Sequence, residues 1–254
     1  MGGRKEAYPN RNPIAFGLLI YLFFFLASAL PQIFFKNVIS PTLLNFGSLL
    51  FKALAALLVI FLLKWFKDTG FSSKWKAAWL LIPLGILVFL DVGEVFSLKL
   101  TLSTIVAGFF FGVLTAIGEE SLFRGIILRT FLPFGVFRSV IVTSILFGLW
   151  HIVNLFVVSP SYVLIQVFGA FLVGIFFASI RLRMNTIIPL IVAHTLIDWA
   201  SYIAGTGQFK PPPLTVFAII FIGFNLIFAL LGIYLLRHYK LINSTTLSES
   251  SIGK

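Results

Sequence analysis

Six ionisable residues sit inside otherwise apolar stretches and have the chemistry of acid–base catalysis. Glu119 and Glu120 are adjacent in IVAGFFFGVLTAIGEESLFRGIILRTF, with Arg124 one helical turn beyond the second. His151 lies in SILFGLWHIVN, and His194 and Asp198 are four apart in IIPLIVAHTLIDW. These positions hold three of the chain's eight acids and two of its three histidines. A charge at the centre of a membrane helix costs roughly 2.5 to 3.5 kcal/mol on insertion scales, so such residues are functional candidates by default. Glu120 and Arg124 are i,i+4 and share a helix side, as do His194 and Asp198. Glu119 is rotated by about 100° from Glu120, so the two carboxylates cannot use Arg124 equally. Glu120 is therefore expected to pair with Arg124, leaving Glu119 free. A free carboxylate close to histidines in a low-dielectric site suits a general base. Lys52 is also inside an apolar run, where its long stem can snorkel towards water.

The elements that hold these residues are membrane helices. The chain has 254 residues, 59% hydrophobic and 11% charged, with a mean hydropathy of +1.07. Ordinary soluble domains carry about 25% charged residues. Apolar windows of ~20 residues, enough to cross ~30 Å of hydrocarbon, recur along the whole length. Eight spans are predicted, at 14–35, 43–63, 77–93, 103–128, 139–158, 161–180, 186–203 and 215–236, the third of them short. Ser40-Pro41, Asp68-Thr69-Gly70, Pro133-Phe134-Gly135, Ser159-Pro160 and Pro211-Pro212-Pro213 punctuate them. The expected fold is an all-α polytopic bundle around an intramembrane cavity. It is read as one integral-membrane domain over 1–254, with the motifs between about 100 and 203. No internal repeat or low-complexity tract is evident, and no polar block is large enough for a soluble domain. Without cysteine, thiol catalysis, disulfides and Cys-based metal sites are excluded.

Charge distribution predicts orientation. With the N-terminus cytoplasmic, the inside segments hold Arg4, Lys5, Arg11, Lys64, Lys67, Lys74, Lys76, Arg129, Arg138, Arg181, Arg183, Arg237, Lys240 and Lys254. The outside loops hold only Lys36, Lys99 and Lys210. That division of 14 against 3 follows the positive-inside rule with both termini cytoplasmic. It also accounts for the net charge of +11 without nucleic acid. Basic residues, an apolar stretch and Ala27-Ser28-Ala29 partly match a signal peptide, but a first span is the expected reading. Asn243-Ser244-Thr245 matches a glycosylation sequon, which this orientation puts in the cytoplasm.

Depth brings the ionisable residues together. At 1.5 Å per residue, Glu119 is ~15 Å from Arg129, His151 ~20 Å beyond Arg138 and His194 ~16 Å beyond Arg183. These agree within a helical turn, as far as helix tilt allows. Groups on three helices can meet at one level, about halfway into the bilayer.

Three motifs in order carry a resemblance. Glu119-Glu120-xxx-Arg124 matches EExxxR, Phe147-xxx-His151 matches FxxxH, and His194-xxx-Asp198 matches HxxxN/D. Together they resemble the CAAX-protease and bacteriocin-processing (Abi) family of intramembrane endopeptidases, including the type II (Rce1-type) CAAX prenyl proteases. The resemblance covers about residues 100–203. It implies peptide hydrolysis without a covalent intermediate: Glu119 as general base, His151 holding and polarising the attacking water, His194 and Asp198 stabilising the oxyanion. Glu120 and Arg124 would support the site or contact substrate, and Phe147 would wall it. The type II proteases have Asn where this chain has Asp198, and an ionised Asp cannot donate to an oxyanion. Asp198 is then either protonated or an orienting partner of His194.

The resemblance implies a lipidated or hydrophobic peptide, a prenylated CaaX tail among the candidates, reaching the membrane interior from the cytoplasm. The membrane would be the plasma membrane of a prokaryote or the endoplasmic reticulum of a eukaryote. No cofactor is expected. A zinc protease is one alternative, since two His plus carboxylates can ligate a metal, although HExxH is missing. A proton-coupled transporter is another, because buried Glu, His and Asp also form proton relays. A non-catalytic scaffold with fossil motifs is the third. Ser144, seven residues before His151, is expected to be a helix-packing serine. Oligomeric state is not legible.

Overall fold

The computed structural model describes residues 12–92, 98, 100–156, 158–205 and 213–237. Arg4, Lys5, Arg11, Lys99, Lys210, Lys240, Lys254, Pro211, Pro212 and the Asn243 sequon lie outside the described residues. Among the described residues the chain is helical throughout, with no strand. The helices are α1 (Pro13–Phe34), α2 (Pro41–Leu62), α3 (Leu81–Val92), α4 (Leu102–Glu120), α5 (Leu128–Phe131), α6 (Val136–Trp150), α7 (Pro160–Met184), α8 (Ile188–Ala204) and α9 (Leu214–Arg237). A π-helical stretch, Ser121–Ile127, joins α4 to α5 without a break. Each predicted span corresponds to an observed helix or continuous helical run. Six runs are long and apolar enough to cross a membrane, whereas Ala78–Val92 and Ile188–Ala204 are shorter. The molecule is an all-α, multi-pass membrane protein.

Local signals set the boundaries. Pro41 and Pro160 occupy the first turns of α2 and α7, where a missing N–H costs nothing. Ser40 and Thr101 accept hydrogen bonds from Leu43 N and Thr104 N at 3.4 and 3.2 Å, capping α2 and α4. Small residues then allow the close approach that membrane helices rely on for packing. A β-carbon at Gly112 would collide with the Thr195 carbonyl, so this glycine lets α4 lie directly on α8.

Because successive helices run antiparallel, the bundle has two distinct ends. At one, basic residues are stitched to the chain. Arg181 on α7 donates to the carbonyls of Thr69 (Nε, 3.0 Å) and Asp68 (Nη2, 2.8 Å). Arg129 pairs with Asp68 at 3.2 Å and lies 3.8 Å over the Trp65 ring. Above this basic end, Leu122, Phe123, Ile126, Ile127, Phe176 and Ile180 are fully buried. They form an apolar plug of two clusters, one around the π-helical stretch and one on α7, both packed against Val173.

Candidate active site

Glu119 and Glu120 close α4 at the top of this plug, and both are buried. Their neighbours differ. Glu120 Oε1 accepts from Arg124 Nη1 at 3.0 Å and from His194 Nδ1 at 2.7 Å. The expected Glu120–Arg124 pair is present. The guanidinium is also covered by aromatic faces, 4.0 Å from the Phe147 ring and 5.3 Å from that of Phe177. Its Nε and Nη2, with Glu120 Oε2 and Ser121 Oγ, find no hydrogen-bond partner among the described residues. The rings thus take the place of polar partners around a cation with almost no exposure.

Glu119 is not free, contrary to the expectation from helical spacing. Its Oε1 accepts from Lys52 Nζ at 2.7 Å and from Trp150 Nε1 at 3.0 Å. Lys52 does not snorkel. It is 4% exposed, and its ammonium also lies 5.2 Å from the Trp150 ring. Helix-by-helix reading missed it because its partner is 67 residues away on another helix. Two signals could have found it. Lys52 is eleven residues past Pro41, ~16 Å down its helix, too deep for a side chain to regain water easily. Gly118 is the second: a β-carbon there would sit 3.0 Å from Lys52 Cγ, so the glycine before the two glutamates makes room for the lysine stem. Trp150 gave no signal.

The histidines complete the cluster. A carbonyl and an ion-paired carboxylate can only accept, so each ring carries its Nδ1 proton. His151 Nδ1 donates to Phe147 O at 2.9 Å, leaving Nε2 for another partner. His194 is oriented by Glu120, and its Nε2 faces Glu119 Oε2 at 3.8 Å and Asp198 Oδ2 at 3.6 Å. Both distances exceed hydrogen-bonding range. Phe147 is buried, edge-on to His151 (5.0 Å between centroids) and His194 (6.1 Å). Ser144 is buried and donates to Val140 O within α6 at 2.7 Å, as a packing serine does.

Glu119, His151, His194 and Asp198 line one cavity of about 370 Å³, together with Lys52 and Trp150. Glu120, Arg124 and Phe147 stand behind them, outside the lining. The cavity continues past Ser28, Gln32, Asn45, Asn154, Gln166 and Ser201. All of these lie away from the basic end. The reason is positional: α6 ends at Trp150, so His151 lies close to the opposite end of the bundle.

Residues 100–200 match the family model described as type II CAAX prenyl endopeptidase Rce1-like. This segment belongs to the CAAX-protease family. No curated protein and no solved structure matches the chain. The matched segment runs from the start of α4 through most of α8 and contains all three motifs, a likeness that supports a CAAX-type membrane endopeptidase in general class. Lys52 lies outside the matched segment. Among the described residues, no group of three or more His, Asp or Glu side chains is arranged to hold a metal ion.

Proposed function

We propose that this protein is an intramembrane endopeptidase that hydrolyses a peptide bond in a lipidated or hydrophobic polypeptide, a prenylated CaaX tail being one candidate, by glutamate-assisted attack of water. The observation that carries the reading is the convergence of Glu119, His151, His194 and Asp198 on one cavity. Glu119 presents two unlike oxygens. Oε1 is held by Lys52 and Trp150, so Oε2 is the oxygen available to take a proton from water. His151, with its Nδ1 proton on Phe147 O, offers Nε2 as an acceptor to hold the same water. The resulting hydroxide attacks the carbonyl carbon, and the C=O electron pair moves onto oxygen. His194, protonated on both nitrogens, donates from Nε2 to that oxyanion, a contribution that grows in a site shielded from bulk water. Collapse breaks the C–N bond as Glu119 returns the proton to the leaving amine. Asp198 steadies the charged His194, and Glu120 fixes its ring.

A lipid anchor has a place to lie. A mostly apolar groove of about 460 Å³ between α2, α4 and α8 is lined by Phe46, Ala107, Phe110, Phe111 and Tyr202. It shares Asn45, Phe111 and Tyr202 with the cavity. The test is turnover of a farnesylated CaaX peptide and of a panel of acylated hydrophobic peptides by purified protein in liposomes. Cleavage by wild type that persists after exhaustive chelation, and is lost in Glu119→Gln with its thermal transition retained, is the expected result. Loss on chelation would turn the reading to zinc. Proton flux without cleavage of any probe would turn it to a carrier.

A further inference from the structure

We infer that residues 63–80, the strap joining α2 to α3 at the basic end, form a docking platform for the headgroups of anionic phospholipids. The strap reads LKWFKDTGFSSKWKAAWL, lysines interleaved with aromatic residues. It leaves one apolar helix at Leu62 and enters another at Leu81. That places it where hydrocarbon gives way to headgroups, a level at which tryptophan is enriched. Trp75 and Trp79 are 52% and 53% exposed, and Lys64, Lys67, Lys74 and Lys76 are exposed as well. The strap is a folded surface. Lys76 N donates to Met184 O at 2.9 Å and Ile187 N to Gly70 O at 3.2 Å, which ties it to the turn between α7 and α8. Arg181 holds the carbonyls of Asp68 and Thr69, and Ser73 Oγ donates to Lys67 O at 2.8 Å across the strap's own bend. A surface ordered in advance loses less freedom when a ligand arrives.

The chain does not neutralise this surface. Among the described residues Asp68 is the only acid at the basic end, and Arg129 occupies it at 3.2 Å. Arg129 and Arg181 are turned onto the chain itself, whereas the four lysines stay on the outside. Lys64 is an independent sign. It closes α2 in the left-handed region, at φ 58°, with its N–H donating to Phe61 O and Trp65 N to Ile60 O. Glycine is the usual occupant of that closing position, because a β-carbon is disfavoured there. The helix end itself favours a cation, but a lysine one residue earlier would serve it without the strain. Basic segments beside membrane helices attract anionic lipid through charge that acts within a Debye length. An acidic protein would meet the lysines alone. The interleaved indoles and the adjoining apolar helix ends favour a ligand that carries both a phosphate and acyl chains. Lipid binding here is independent of the peptidase reading.

The platform carries its own reporters in Trp75 and Trp79. The full chain is placed in phosphatidylcholine nanodiscs that contain a fixed fraction of lipid brominated on its acyl chains, and tryptophan quenching is measured. Brominated phosphatidylglycerol is expected to quench more than brominated phosphatidylcholine, and the excess should shrink as salt rises from about 0.1 to about 1 M. In Lys74→Gln/Lys76→Gln the preference for phosphatidylglycerol should fall by about fivefold or more, the worth of one lysine near an anionic surface. Lys74→Arg/Lys76→Arg should keep it, which separates lost charge from a disturbed fold. Trp75→Phe/Trp79→Phe should remove the excess quenching. Equal quenching by the two lipids overturns the inference. So does an excess that is indifferent to the lysines, or one that survives removal of both indoles. Equal quenching together with a shift of tryptophan emission on adding polyglutamate would make the occupant an acidic protein, and the lipid platform would fall.

Discussion

The two glutamates that end α4 are chain neighbours in opposite surroundings. Glu120 belongs to the plug: no exposure, an arginine roofed by phenylalanine rings, and a histidine held at 2.7 Å. Glu119 belongs to the cavity: one oxygen is tied to Lys52 and Trp150 while the other faces the His194 edge. Adjacent positions on a helix point about 100° apart, and here that angle puts one carboxylate on the cavity and the other behind it. On the proposed mechanism the carboxylate that lines the cavity exchanges protons with water, and the one behind it holds its neighbours still.

Substitutions on either side should break this contrast in different currencies. Glu119→Gln is expected to lower turnover by about 10²–10⁴-fold, the usual range for a general base, with the thermal transition in detergent nearly unmoved. Arg124→Met should do the reverse at first, costing about 3–5 kcal/mol of stability by stranding Glu120 as a buried charge; denaturant unfolding measures it. An Arg124→Met protein as stable as wild type would mean that the rings, not the ion pair, define the plug. Lys52→Met falls between them, losing about 1.5–3 kcal/mol of support for an ionised partner, read mainly in kcat because cavity water can partly resolvate Glu119. Gly118→Ala pushes on the same lysine stem, and overpacking of about 1–3 kcal/mol is expected, accompanied by a fall in kcat that an ordinary packing defect would not produce. Asp198→Asn is the mildest. It should keep kcat within about tenfold of wild type, or ~1.4 kcal/mol, since the side chain touches His194 only at 3.6 Å.

Much of this was legible along the chain. Apolar length marked every span, and i,i+4 spacing marked Glu120–Arg124, because both are properties of one helix. What escaped depends on pairs of helices. Lys52 looked like a snorkelling residue until α2 was set against α4. The π-helical stretch after Glu120 has no pattern in SLFRGII to announce it, and wide turns of this kind recur at functional sites. The side of the cavity escaped too. Counting residues from the basic loops put all three motifs about halfway across, and only the end of α6 at Trp150 showed in which direction the space runs.

The apolar plug has a consequence for the membrane itself. On the proposed mechanism Glu119, His151, His194 and Asp198 exchange protons in a cavity inside the helical bundle. Continued to both faces, such a set of groups would be a proton wire and would drain the gradient across the membrane. Leu122, Phe123, Ile126, Ile127, Phe176 and Ile180 carry no group that can pass a proton, and they stand fully buried across the remaining distance. On the proposed mechanism they would act as electrical insulation, letting the bundle hold hydrolytic chemistry inside a membrane that must stay charged.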